Sequence, residues 1–210
     1  AVVTGADAPV KYGILPVSQD EYPLAVEKVR FVGDEVAAVA AIDEATALRA
    51  LELIDVRYKV LPAILDPHEA LVREDVKIHE RAVEANIERR VHLVFGDLEQ
   101  GFAAADYIRE DRFFKDASSH AFLEPHSALA QYQDGKLTIW SSTQVPHYVH
   151  RSLSKVLGIS MEKVRVIKPA LGGGFGGKGE PLPLEFAASL LAVKSGQPVR
   201  ITHKIGRAHG

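Results

Sequence analysis

The spacing of apolar residues changes twice between residues 24 and 60. Lys28-Val29-Arg30-Phe31-Val32 alternates, Gly33-Asp34 turns the chain, and Val36-Ala37-Ala38-Val39-Ala40 is a continuous apolar run. This predicts two strands around a turn. Asp43 stands at an N-cap position, and Ala47, Leu48, Leu51 and Ile54 share one face of the helix that follows. Thr46 holds the place where a full capping box needs Glu or Gln. Val56-Arg57-Tyr58-Lys59-Val60 alternates again and predicts a return strand ended by Pro62. The result is an α+β module of about 65 residues, near the practical lower limit for folding alone. Residues 66–92 then lose periodicity and gather charge, which predicts a linker with a short helix at 67–72 and a domain boundary near residue 80.

Regular patterning resumes beyond the linker. A short helix is predicted at 97–105 and a strand at 106–115. Ser127–Gln133 and Lys136–Ser142 flank Asp134-Gly135, a strong hairpin signal. A helix over 145–157 turns Val149, Leu153 and Leu157 inward, with Gly158 just past its end. A strand at 163–168, a glycine loop at 172–179, a helix at 184–195 before Gly196, and a strand from Val199 complete the pattern. The fold class is α+β, with domains at 1–80 and 81–210.

Composition narrows the function. The chain has 210 residues, is 47% hydrophobic and carries a net charge of −3, so electrostatics make no case for a nucleic-acid partner. It has no cysteine, so it can hold neither a disulfide nor a cysteine-ligated iron–sulfur cluster or zinc ion. No apolar run reaches the roughly 18 residues of a membrane span, and no signal peptide is visible. A cytoplasmic location is the default expectation. With Met161 as its only methionine and Ala1 opening inside apparent structure, the sequence reads as a piece of a longer chain.

The chemistry concentrates in Leu171-Gly172-Gly173-Gly174-Phe175-Gly176-Gly177-Lys178-Gly179. Five glycines in six positions between a strand and a helix permit close approach of a ligand to bare backbone. Gly172, Gly174 and Gly177 satisfy the dinucleotide-binding spacing, but without the βαβ unit and acidic residue it needs. Gly172, Gly177 and Lys178 satisfy the phosphate-loop spacing, yet Gly179 stands where Ser or Thr should hold magnesium. Phe175 fits neither template and is either a hydrophobic plug or a wall beside a flat ligand. Gln144 has two readings, a ligand contact or a cap for the helix starting near 145. His147 and His150 are three apart on one helix, but with no third ligand they read as boundary residues.

Gly172–Lys178 (GGGFGGK) resembles the cofactor loop of the xanthine dehydrogenase and aldehyde oxidase family of molybdenum hydroxylases. Four further stretches are similar in the same order: Lys28–Ala40 to the hammerhead domain, Gly96-Asp97 with Phe102 and Ala105-Asp106 to the exit from the linker, Phe122–Pro125 (FLEP) with Ala128-Leu129-Ala130, and Trp140–Gln144 (WSSTQ) followed by Val145-Pro146. The resemblance implies a hammerhead-type α+β domain followed by the first part of a molybdopterin-binding α+β domain. It implies molybdenum bound through a pterin, in the cytosine dinucleotide form, with no protein side chain on the metal. Gln144 takes the position whose amide meets an oxygen ligand of molybdenum. Phe175 and Gly176 take the positions where the loop passes the metal with a backbone N–H aimed at an oxygen ligand, and Gly173 and Gly174 are the positions that allow that approach. Iron–sulfur clusters and FAD are expected on partner domains or subunits, in a dimer of multi-subunit units.

The implied activity is hydroxylation of an aldehyde or N-heterocycle with oxygen drawn from water. The general-base glutamate is expected outside these residues, so the piece alone should be inactive. Tyr12–Pro16 and Asp20–Ala25 look similar to the 4-hydroxybenzoyl-CoA reductase branch, whose reaction is a reductive dehydroxylation of an aromatic acyl-CoA. Glu180 lies one residue later than the family's substrate-contacting glutamate, and Lys204–Gly210 departs from the family pattern. Read from the residues alone, a nucleotide- or anion-binding domain and a non-catalytic docking module are the competing functions.

Overall fold

A computed structural model describes residues 1–15 and 19–204, so Pro16, His209 and most of the divergent Lys204–Gly210 end lie outside the described residues. In chain order the elements are β1 (Val2–Thr4), β2 (Ala37–Val39), α1 (Glu44–Glu52), α2 (Pro67–Val72), α3 (Leu98–Ala103), β3 (Ser127–Gln133), β4 (Lys136–Ser141), α4 (Pro146–Leu157), β5 (Val164–Ile167), α5 (Pro183–Ser195) and β6 (Val199–Thr202). They group into two compact units, residues 1–56 with 119–210, and residues 57–118.

The larger unit is built on a four-stranded sheet in the order β5-β4-β3-β6. The predicted hairpin forms as β3 and β4, with Gln133 opposite Lys136. The turn places Asp134 at φ 51° and Gly135 at φ 73°, the pair of positive angles a type I′ turn requires. β6 adds antiparallel to β3, and β5 adds parallel to β4 after the α4 crossover. Alternate residues of β4, Leu137 and Ile139, are buried, as are Ala128 and Ala130 of β3. α4 presents Val149, Leu153 and Val156 to this core, with Leu157 only partly buried. Its polar face stays wet, and Gly158 ends it at φ 65°. α5 has no polar stripe at its centre, because Leu184, Phe186, Ala188, Leu191 and Ala192 are all buried. Val3, Ala8, Tyr12 and Leu24 join the same core. Tyr12 is buried against Phe186, with ring centroids 4.4 Å apart.

Three predicted strands are absent. Residues 28–32 form no ladder, since β2 pairs instead with β1. Asp34 folds back to accept the Arg30 N–H at 3.0 Å, and Phe31 and Val32 are exposed. Residues 56–60 and 106–115 find no partner strand among the described residues, and alternation without a ladder leaves backbone groups to solvent. α1 forms with its predicted cap, as Asp43 accepts the Thr46 N–H at 2.7 Å, but its apolar face buries no residue.

The smaller unit, residues 57–118, contains α2 and α3, each capped by the aspartate before it. Its organiser is Asn86. The Asn86 Nδ2 donates to the carbonyl oxygens of Val76 at 2.9 Å and of Ala70 and Arg73 at 3.3 Å, while Oδ1 accepts the Ile78 N–H at 2.7 Å. One side chain therefore closes a segment that has almost no apolar core of its own.

Candidate functional site

The end of β4, the start of α4 and the loop between β5 and α5 converge on one site. Ser142, Thr143 and Gln144 leave β4 as a short bend, and Thr143 Oγ1 accepts the Val145 N–H at 3.0 Å. That hydroxyl turns the chain into α4, whose cap residue is Val145. Gln144 therefore does not cap the helix. Its backbone N–H donates to Lys178 O at 2.9 Å. Its side-chain Oε1 accepts the N–H groups of Gly176 at 3.1 Å and Lys178 at 3.3 Å. Two donors facing one amide oxygen fix which way the amide lies, so the Nε2 end is the part left to meet a ligand.

The loop accommodates this only because its residues are small and left-handed where needed. A Cβ on Gly174 would sit 2.5 Å from Gln144 Oε1, inside any allowed contact. Gly176 turns at φ 93°, a conformation that L side chains rarely adopt. Phe175 also has positive φ, 49°, and its side chain is 74% exposed with the ring edge beside Gly173. It is not a buried plug. Strain of about 1 kcal/mol held at an exposed aromatic is typical of residues kept for a ligand.

Five loop N–H groups are spent internally: Gly172 on Glu124, Gly176 and Lys178 on Gln144, Gly177 on Gly174 O and Gly179 on Gly176 O. Among the described residues, the N–H groups of Gly173, Gly174 and Phe175 are the loop's remaining donors. Lys178 is buried and ion-paired to Glu124 at 2.6 Å. A phosphate cradle needs those amides and that lysine for its anion, so this geometry does not supply one.

All five residues singled out in the sequence, Gln144, Gly173, Gly174, Phe175 and Gly176, come together here. Lys178 and Phe122, which lie in the GGGFGGK and FLEP stretches but were given no role of their own, also belong to the site, as does His126, which no sequence signal assigned to it. The Lys178 ammonium lies 4.8 Å from the Phe122 ring centroid. His126 Nε2 donates to Gly177 O at 2.9 Å and its ring meets Phe122 edge-on at 5.0 Å. Burial pushes the Glu124 carboxyl up, but Lys178 and the Gly172 N–H outweigh it, and the net shift is downward. Further below, Glu185 of α5 accepts from Ser141 Oγ and from the Leu182 N–H, each at 2.7 Å. It ties the start of α5 to the end of β4. Full burial pushes its carboxyl up to about 7, even though both hydrogen bonds act in the opposite direction.

Of the two histidines on α4, His147 is exposed and His150 is structural. His150 Nε2 lies 2.9 Å from Met161 O and 3.0 Å from Val164 O, tethering α4 to the start of β5. No group of three or more His, Asp or Glu side chains among the described residues could hold a metal ion. No helix among them is long and apolar enough to cross a membrane.

Fold and loop together define a mixed α+β domain that presents neutral amide donors from a glycine loop. Residues 78–207 match the family model of the molybdopterin cofactor-binding domain. Residues 1–62 match that of the aldehyde oxidase and xanthine dehydrogenase a/b hammerhead domain. The chain belongs to this family of molybdopterin-binding oxidoreductase subunits. It is 39% identical, over 96% of its length, to a probable xanthine dehydrogenase subunit of Bacillus subtilis (strain 168). It is 32% identical, over 95% of its length, to the nicotinate dehydrogenase large molybdopterin subunit of Eubacterium barkeri. Quinoline 2-oxidoreductase from Pseudomonas putida 86 superposes with a TM-score of 0.87 at 29% identity over 99% of the chain. The chain spans 27% of the Bacillus relative, 48% of the Eubacterium relative and 28% of the quinoline enzyme.

Proposed function

We propose that these residues form the hammerhead domain and the first cofactor-cradling segment of a molybdenum hydroxylase large subunit, with the domain boundary near residue 80. Gln144, Gly173, Gly174, Phe175 and Gly176 are its contacts to the cofactor. The carrying observation is the Gln144 amide, whose Oε1 is locked by two loop N–H groups so that Nε2 is directed outward. The family's cofactor fits the residues present. The donors are neutral, the carboxylate that contacts the loop, Glu124, is already ion-paired, and the space beside Gln144 is kept open by the missing Cβ of Gly174.

When bound, the molybdenum–molybdopterin group supplies two-electron exchange with the substrate. This chain's residues bind and orient. Gln144 Nε2 offers a neutral hydrogen bond to an oxygen of the group, the N–H groups of Gly173 to Phe175 add backbone donors, and the Phe175 ring shields one side. Glu124 is ion-paired and Glu185 is buried and hydrogen-bonded, and the general base is proposed to lie outside these 210 residues. The reaction proposed is hydroxylation of an N-heterocycle or aldehyde, supported by relatives named for xanthine, nicotinate and quinoline. Reductive dehydroxylation of an aromatic acyl-CoA is the alternative reaction, and of the segments resembling that branch Tyr12 and Glu21 also help to build the fold. Tyr12 and Glu21 pair their backbones at 2.9 and 3.3 Å, and the Tyr12 ring packs in the core. The pterin is proposed in its cytosine dinucleotide form, with iron–sulfur and FAD subunits as partners, in a cytoplasmic dimer of such units.

The test is elemental. The intact parent complex should contain stoichiometric molybdenum and release cytidine monophosphate on acid hydrolysis. A folded, assembled complex without molybdenum would remove the proposal.

A further inference from the structure

Cofactor contact leaves Glu124 and Lys178 unexplained. The Lys178 side chain is fully buried, with 0% of its surface exposed. A buried ammonium is unfavourable unless paired, and apolar residues of like volume can hold such a place at least as well. The pair must therefore contribute something that an apolar contact would not, and its geometry shows what. A single atom, Glu124 Oε2, accepts from Lys178 Nζ at 2.6 Å and from the Gly172 N–H at 2.8 Å. The Glu124 N–H returns a bond to Gly172 O at 3.3 Å. A Cβ on Gly172 would lie 2.6 Å from Glu124 Cβ, so only glycine allows the grip. One carboxylate thus holds the loop at both of its ends, and between them lies the N–H of Gly176 that orients Gln144.

We propose that Glu124 and Lys178 are a positioning pair. By fixing residues 172 and 178 to one oxygen, they set the register of the loop against Gln144 and hence the direction of the Gln144 Nε2–H. The inference rests on the cofactor reading above. Neither residue touches the cofactor; both act through Gln144.

The test uses the full parent complex with Lys178→Met and, separately, Glu124→Asp. The first removes the charge. The second keeps it but is too short to reach both donors. In each, amide exchange at Gly176 and Lys178 should rise about tenfold, the effect of losing one such hydrogen bond, while α4 and β4 amides keep their protection. The Mo(V) electron-spin signal of the loaded enzyme should change shape with molybdenum content unchanged. Glu124→Asp decides the matter if Lys178→Met does not fold. Unchanged exchange and an unchanged signal in folded Glu124→Asp would overturn the proposal. Exchange is also measured on cofactor-free complex, where it reports on the pair alone. A wild-type complex that never carries molybdenum would sink the cofactor reading and leave this result standing.

Discussion

Glu185→Gln tests how the floor of the site is held. The Glu185 carboxyl is pushed up to about 7 by full burial, from an ordinary value of 4.5. Between those limits the folded chain keeps a proton that the unfolded chain has released. Stability from this group is therefore complete below pH 4.5 and is lost as pH rises toward 7. A displacement of about 2.5 pKa units corresponds to about 3 kcal/mol. Glutamine cannot ionise, yet its Oε1 can accept the Leu182 N–H as Glu185 does, and its Nε2–H can donate to Ser141 Oγ with the direction of that bond reversed. Urea unfolding followed through Trp140, which adjoins Ser141 on β4, reads the effect. Glu21 is likewise raised to about 7 by burial, with Glu180 reinforcing it, so the quantity to compare is the difference between variant and wild type. That difference should be within about 1 kcal/mol at pH 4.5 and should reach about 3 kcal/mol in favour of the variant above pH 7. Two parallel curves across the window would show that Glu185 ionises normally and refute the reasoning.

Four further outcomes are expected. Gln144→Ala leaves two loop N–H groups without their acceptor, which should loosen the loop by about 1–2 kcal/mol; kcat of the parent enzyme should fall by on the order of 10², and an unchanged kcat would remove Gln144 from the site. Gly174→Ala places a Cβ 2.5 Å from Gln144 Oε1 and should displace that side chain at a cost of about 1–3 kcal/mol, visible as lost molybdenum content in the parent. Asn86→Ala should destabilise the 57–118 unit by about 1–3 kcal/mol and expose residues 70–86 to limited proteolysis, with the larger unit unaffected. Because the Glu124 carboxyl is held below its ordinary 4.5, its contribution is present above that pH and is lost as pH falls through its lower folded value, so loop amides should lose protection on acidification.

Local signals carried most of what the sequence revealed about the larger unit. Asp134-Gly135, Gly158 and Gly196 each mark a backbone angle with one structural meaning, so the hairpin, α4 and α5 were legible to within a residue or two. The failures share a cause. Residues 28–32, 56–60 and 106–115 alternate like strands, but a strand exists only when a partner supplies the ladder, and pairing is not a local property. β1 is three residues long, too short to show a period. In the site, Gln144 and the glycines stood out by type and spacing. Lys178 stood out only as a phosphate-loop lysine, and its ion pair was not legible because Glu124 is 54 residues away. The one signal for Glu185 was a lone carboxylate in an otherwise apolar stretch, Pro183–Ser195.

The disposition of charges and donors separates the two ligand classes that the loop sequence left open. A phosphate site keeps its lysine and its backbone amides free, because the anion it binds is permanently charged. Here the lysine is neutralised by Glu124, and five amides are consumed in shaping the loop itself. What remains for a ligand is a set of neutral donors, Gln144 Nε2 and the N–H groups of Gly173 to Phe175, on a rigid frame. Such a set stabilises charge on an oxygen less strongly than a full cation would, and its pull changes less as that charge rises and falls. A group that gains and loses electrons during turnover would be held by such neutral donors with less difference between its two charge states than beside a bare lysine. On the proposed cofactor reading, pairing Lys178 with Glu124 would keep an unneutralised cation away from the bound group as well as position the loop.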